Sequence, residues 1–442
     1  AAARRASRPL RLVGARTEHK SVLDALKELE RQGAQVTWLE PDEWGRISPE
    51  AVRAALRDDT LLVSVMHANN ELGCINDIAR IAAVCRERGV LIHTDASQSA
   101  GKIDCDVATL GVDFLSFTAH KVHGPKGIGA LYVREGARPK IAPLLFGGGH
   151  ERGLRPGTLA THQIAGFAAA AALARDERPR DAAHAHALRE RLTRALASVP
   201  GALVNTLPGD ASLPGICNVS FEGVEGESLV AGLAEVAVST GSACSSATRE
   251  PSYVLRALGR DTELAQSSLR ISVGRFTTEA DVDHAARAIR REVSRLRLIA
   301  GGAGLPDAAE MPADDTANAS RLSPEALRHF RKAPRPPAFP QGALPAGIRQ
   351  GRAGRQSQGT AICFELEIAD GFVKSARFSA YGCPHTLAVA AWLCEVLEGQ
   401  RYEAGIPGTP TDWAVTHEVP TEKLGRLLIV EDALRAAFAR QD

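Results

Sequence analysis

From residue 11 to about residue 135 the chain alternates strand and helix signals, and this alternation narrows the possible folds more than any other feature. RLVGAR is followed by a helical KSVLDALKELERQG and then a strand, AQVTWLE. Ser48, Pro49 and Glu50 make a helix start, a capping residue with proline at the first turn. TLLVSVM reads as a buried strand, DIARIAAVCRERG as a helix closed by Gly89, and VLIHTD as the next strand. Strands separated by helices pair in parallel and are covered by those helices, which predicts an α/β large domain with a mainly parallel sheet. In such sheets ligands gather at the carboxyl ends of the strands. The residues just past each strand are the first places to look for chemistry.

A chain of 442 residues exceeds one compact core. Residues 1–150 read as the large domain and residues 151–299 as its continuation into a smaller α+β domain. The second region ends in an amphipathic helix whose Val282, Ala285, Ile289, Val293 and Leu296 share one face after the cap Thr278. Its longest apolar run, Ile164 to Ala174, is mostly alanine, too short for a bilayer, and reads as a buried helix. Residues 300–320 are Ala, Gly, Asp and Pro without an apolar period, a linker. Residues 321–442 hold a short helix, a Pro/Gly-rich loop, two alternating strands (ICFELEIA and FVKSARFSAY) and further helices, a C-terminal α+β domain.

With 53 basic and 52 acidic residues the net charge is +1, which gives no electrostatic case for nucleic acid or an anionic membrane. Eight cysteines without a CxxC pair do not resemble a secreted disulfide framework; reduced thiols in the cytoplasm fit better.

Only nine lysines occur, and none lies between Lys140 and Lys332. Lys121, in SFTAHKVHGPKG, follows the strand DFLSFT. An amine there, partly desolvated and so lowered in pKa, suits an imine with an aldehyde cofactor. Lys126 is its rival in the same loop, and a solvated loop lysine is the plain alternative. Asp95 ends VLIHTD and can pair with a protonated pyridine nitrogen, or simply cap a turn. His19 and Asn70 also lie just beyond strands. Cys244, in STGSACSSA, sits among Gly and Ser with no apolar anchor, which gives a nucleophilic thiol the access it needs. Arg270, in SSLRISVGRF, can clamp a carboxylate in bidentate fashion or form a surface ion pair.

Residues 11 to about 298 resemble the cysteine desulfurases of the IscS/NifS type, in the class V aminotransferase family of pyridoxal-phosphate fold-type I. The carrying segments are TEHKSVLDA, LLVSVMHANNELG, HTDASQSAGK, SFTAHKVHGPKGIGALYVR, GGGHERGLRPGT, STGSACSSA, EPSYVLRALG and SSLRISVGRFTTE. The resemblance implies that pyridoxal 5'-phosphate is the cofactor and L-cysteine the substrate. It makes Lys121 the imine-forming and proton-shuttling amine, Asp95 the partner of the pyridine nitrogen, and Gln98 a contact of the ring hydroxyl. His19 would stack on the ring and assist acid–base steps, and Thr118 and His120 would bind phosphate. Thr158 would reach a neighbouring subunit's phosphate, implying a homodimer. Asn70 and Arg270 would hold the substrate carboxylate, and Cys244 would take the sulfur as a persulfide, leaving alanine. Thr118 stands where the family usually has serine.

The family carries, ahead of the TEH segment, a Gly/Thr-rich turn whose helix amides cradle the phosphate. No match to it occurs here, so the chain is expected to be an N-terminally truncated desulfurase. Residues 321 to 440 resemble the IscU/NifU-type iron–sulfur scaffolds, through RLSPEALRHFRKAPRP, SARFSAYGC and LLIVEDALRAAF. Of that family's three cysteines and aspartate only Cys383 remains; the other three positions fall on Gln358, Thr360 and Arg426, while Lys423 matches. Gln, Thr and Arg cannot supply thiolate or carboxylate ligands, so a cluster is not expected, with Cys383 the remaining metal candidate and His385 and Cys363 possible substitutes. The expected partners are a sulfur acceptor or iron–sulfur assembly proteins. Selenocysteine lyase, class V aminotransferase and a non-catalytic docking factor are the alternatives.

Overall fold

The structure is a computed structural model describing residues 10–240, 250–302, 322–333, 336–337 and 344–439. Its first layer is a six-stranded sheet ordered β2-β1-β3-β4-β5-β6. These are β1 (Arg11–Ala15), β2 (Gln35–Leu39), β3 (Thr60–Ser64), β4 (Leu91–Asp95), β5 (Phe114–Thr118) and β6 (Gly129–Val133). β1 to β5 run parallel, and β6 returns antiparallel to β5. The crossovers carry α1 (Lys20–Arg31), α2 (Pro49–Ala55), α3 (Ile78–Glu87) and α4 (Val107–Leu110). Ser48 starts α2 by accepting from the Ala51 amide, and Asp77 starts α3 by accepting from Arg80. Val63, Ile92 and Leu115 of the strands are sealed by Ile78, Ile81 and Val84 of α3. Each such fully buried side chain contributes about 1.5–3 kcal/mol.

α5 (Thr161–Ala197) leads out of the large sheet. It is followed by a three-stranded antiparallel sheet of β7 (Ala202–Val204), β8 (Ile216–Phe221) and β9 (Ser268–Ser272). α6 (Gly226–Gly232), α7 (Tyr253–Ala257) and α8 (Thr262–Gln266) lie in the connection, and α9 (Glu279–Ile299) closes the unit. Thr278 and Asp281 form a reciprocal capping box on α9. The run from Ile164 to Ala174, expected to be buried, is helical but largely exposed: Ile164 keeps 39% and Leu173 56% of its surface. Phe167 alone of the large side chains there turns inward, against Ala119 and Val122. Alanine offers too little apolar area to seal the other faces.

The last unit contains α10 (Pro324–Lys332), β10 (Ile348–Arg355), β11 (Thr360–Ala369), β12 (Phe372–Tyr381), α11 (Pro384–Leu397), α12 (Pro410–Thr416) and α13 (Leu424–Phe438). Its antiparallel sheet has three strands where the sequence suggested two. IRQGRAGR, which falls in the expected Pro/Gly-rich loop, is β10. Its glycines serve close packing: a Cβ on Gly351 would come 2.1 Å from Ala437 N and 2.2 Å from Ala433 O of α13. One apolar core runs from β8 and α9 into β11, β12, α11 and α13. Among the described residues no helix is long and apolar enough to cross a membrane.

Candidate active site

Chemistry-bearing side chains collect at the carboxyl edge of the parallel sheet. Past β1 lie Thr17, Glu18 and His19. His19 is the N-cap of α1, its Nδ1 accepting from the Ser21 amide at 3.2 Å. That bond leaves the neutral ring's proton on Nε2. Asp95, at the end of β4, is 7% exposed and accepts from the Ser97 amide at 2.8 Å, the turn-capping role weighed from sequence. Beside it Glu18 is fully buried, its Oε1 accepting from Met66 N at 2.5 Å. Burial first, and the Asp95 charge second, push the Glu18 carboxyl up to about 8. His93, two residues before Asp95, is held between Ser64 at 2.9 Å and Ser116 at 3.0 Å. Burial lowers its pKa, so a neutral imidazole lies under the site.

An open cavity beside this edge brings together Asn70, Gln98, Lys102, Lys121 and Arg270. Arg270 reaches in from β9, and its Nη1 donates to the Asn70 carbonyl at 3.0 Å across 200 positions of sequence. The Asn70 Oδ1 is buried without a hydrogen-bond partner, aimed as an acceptor for something more. Lys121 stands in the turn Ala119–Val122 directly after β5. Its side chain is exposed, against the desolvation expected of it. The desolvated amine is Lys102, which donates to Gln98 Oε1 at 3.3 Å. Burial, then the charges of Lys121 and Arg270, bring Lys102 down to about 8. Four residues after Gln98, Lys102 was visible in HTDASQSAGK; its burial was not.

Other candidates stand apart from the cavity wall. Thr118 Oγ1 and His120 Nδ1 hydrogen-bond each other at 2.9 Å. Thr158 and Lys126 are exposed, and the Lys126 carbonyl accepts from Gln163. Cys244 lies outside the described residues.

In the last unit Cys383 is fully buried at the start of α11, with Thr386 Oγ1 3.3 Å from its sulfur. Gln358 is exposed in a turn, and the Thr360 hydroxyl donates to the Gly359 carbonyl at 2.8 Å. Cys363 and His385 are buried, Cys363 with its thiol pushed up by burial. Among the described residues no three His, Cys, Asp or Glu side chains converge as a metal cage.

Residues 9–284 match the family model of aminotransferase class-V, and residues 323–441 match that of the NifU-like N terminal domain. The chain is 52% identical over 286 residues to the cysteine desulfurase IscS of Pseudoalteromonas translucida, covering 65% of this chain and 71% of that protein. It is 54% identical to the cysteine desulfurase IscS of Pseudomonas aeruginosa, covering 65% and 70%. A solved NifS-like protein superposes with a TM-score of 0.58 at 37% identity, over 64% of this chain and 74% of that one. A solved SspA in complex with cysteine superposes with a TM-score of 0.52 at 35% identity, over 61% and 75%.

Proposed function

The chain belongs to the aminotransferase class-V family, and on that footing we propose that it is a cysteine desulfurase using pyridoxal 5'-phosphate. It converts L-cysteine to L-alanine and delivers the sulfur, through a persulfide on Cys244, to iron–sulfur cluster assembly. The observation that carries this reading is the convergence of Asn70, Gln98, Lys121 and Arg270 on one cavity at the sheet's carboxyl edge. The named relatives, and the cysteine held by SspA, agree with it.

The residues fit the cofactor. Asn70, whose Oδ1 is orphaned, and the exposed Lys121 line the cavity, and Asp95 is buried at the end of β4, three residues before Gln98 of the cavity wall. When bound, pyridoxal phosphate supplies an electron sink for a carbanion at the substrate's Cα. Lys121 is the amine that would hold the cofactor's aldehyde and move the Cα proton. Asp95 would face the ring nitrogen, with Glu18 beside it held towards its neutral form by burial. Gln98, steadied by Lys102, would meet the ring oxygen. His19, its Nδ1 engaged in the helix cap, would stack on the ring and offer Nε2. Thr118 and His120, already paired, would take phosphate. Arg270, braced on Asn70, would fix the substrate carboxylate by a charged fork.

A homodimer, with Thr158 reaching the neighbouring subunit, is supported by exposed Leu144, Leu145 and Phe146, at 93%, 58% and 84% of their surfaces. A cytoplasmic setting is supported by the described cysteines, all of which are free thiols. The test is alanine and sulfide formation from L-cysteine, with the Cys244→Ala variant in parallel. The reading requires that variant to lose sulfide release; equal output from both proteins removes Cys244 from the reaction. Selenocysteine as the only productive substrate would favour the lyase alternative.

A further inference from the structure

The positions at which the NifU-like domain would carry its metal gather at one pole, and what gathers there is a guanidinium. Arg426, in the first turn of α13, brings its Nη2 to 3.5 Å from where a Cβ on Gly359 would lie, between Gln358 and Thr360. Cys383 is close enough for its sulfur to act on the Arg426 charge. One soft donor, one exposed amide, one hydroxyl already engaged and one fixed positive charge do not make a metal site. The iron–sulfur cluster or zinc ion that the family implies does not fit these residues.

The pole is also closed. It faces the start of α6 in the preceding unit, which presents Glu225 and Glu227. Ser228 Oγ donates to the Gly382 carbonyl at 2.7 Å. Lys423 Nζ meets Glu227 at 2.8 Å, and Arg426 Nη1 lies 3.6 Å from Glu225. Burial would lower the Arg426 pKa, but its neighbours Cys383, Glu225 and Glu227 reverse it and leave it raised. Burial, with the charges of Glu263 and Glu225 behind it, likewise pushes the neighbouring Tyr381 phenol up. A basic pair on one unit thus meets an acidic pair on the other, Glu225 largely buried, its pKa raised by that burial, and Glu227 partly exposed.

We propose that Arg426 stands in for the metal as a fixed cation, and that with Lys423 it clamps Glu225 and Glu227, so that the former cluster pole is a permanent contact between the chain's own two halves. The partner of this surface is therefore the desulfurase half of the same chain, and Cys383 is shut inside it. This goes beyond the desulfurase reading, and its test does not depend on turnover: a chain that makes no alanine can still pass or fail it.

The experiment is amide hydrogen exchange on the full chain, with iodoacetamide labelling of the Cys383 peptide followed by mass spectrometry. Arg426→Glu is expected to speed exchange in Gly226–Gly232 and Pro384–Leu397 at least about tenfold. It is also expected to open Cys383 to alkylation. Adding Glu225→Arg to it should restore protection in Pro384–Leu397, the segment whose helix Glu225 does not itself cap. If Arg426→Glu loses its fold throughout, the neutral Arg426→Gln decides, since it removes the charge and the guanidinium without adding a negative group among the carboxylates. The proposal is overturned if the folded Arg426→Gln or Arg426→Glu protein exchanges like the wild type, or if the charge swap restores nothing. It is equally overturned if the wild-type chain retains zinc(II) or iron(II) that Cys383→Ser releases.

Discussion

Arg270 and Asn70 are 200 residues apart in sequence and one hydrogen bond apart in space, so the substrate's carboxylate would meet a fork already oriented. Lysine keeps the charge but not the fork. Arg270→Lys is expected to raise KM for cysteine with little change in kcat, about a 10- to 100-fold loss in kcat/KM for a charged hydrogen bond worth roughly 1.5–3 kcal/mol. Steady-state alanine formation measures it. Glu18 makes a second prediction, in stability. Its folded pKa of about 8 lies above the ordinary 4.5, so the folded chain holds a proton that the unfolded chain has already released. Stability is therefore lost as pH rises from about 4.5 to about 8 and levels off above it. Glu18→Gln removes that loss: its melting temperature relative to wild type should be higher at pH 8.5 than at pH 5. Equal differences at both pH values would contradict the buried acid. Lys121, Asp95, His19 and Asn70 were legible as strand-end residues, because period and position are written in the chain; Gln98 came only from the family resemblance, and Arg270 from its place in a strand. Glu18 and Lys102 were passed over, because their burial depends on what packs over them. For the same reason the desolvation expected of Lys121 falls on Lys102.

At the scale of elements, local signals carried the helices well. Ser48, Asp77 and Thr278 each cap the helix that follows them. Thr278→Ala should cost about 1 kcal/mol, read as a lower urea midpoint. β10 shows the opposite case. IRQGRAGR carries two glycines and no apolar alternation, so nothing local marks a strand; its pairing with β11 and its contact with α13 define it. Since a Cβ at Gly351 would strike the backbone of α13, Gly351→Ala should destabilise the last unit by about 1–3 kcal/mol. The urea midpoint measures that too, and a neutral result would mean that α13 is not seated on β10 as described. The helix around Ile164 to Ala174 was legible as a helix, but not as an exposed one. Alanine content predicts helicity, not burial.

On the scale of the whole molecule, the two family matches meet in one apolar core rather than as separate beads, with the charged pole of the last unit against α6. The exposed Leu144, Leu145 and Phe146 mark the face proposed for a second copy. Replacing Leu145 and Phe146 by glutamate should shift the sedimentation coefficient from dimer to monomer; an unchanged coefficient would place the dimer contact elsewhere. The desulfurase reading itself depends on one covalent attachment. The intact protein, supplied with excess pyridoxal phosphate, reduced with borohydride and digested, should yield a peptide bearing the pyridoxyl group on Lys121. The same label on Lys102 or Lys126, or on no lysine, would contradict the account.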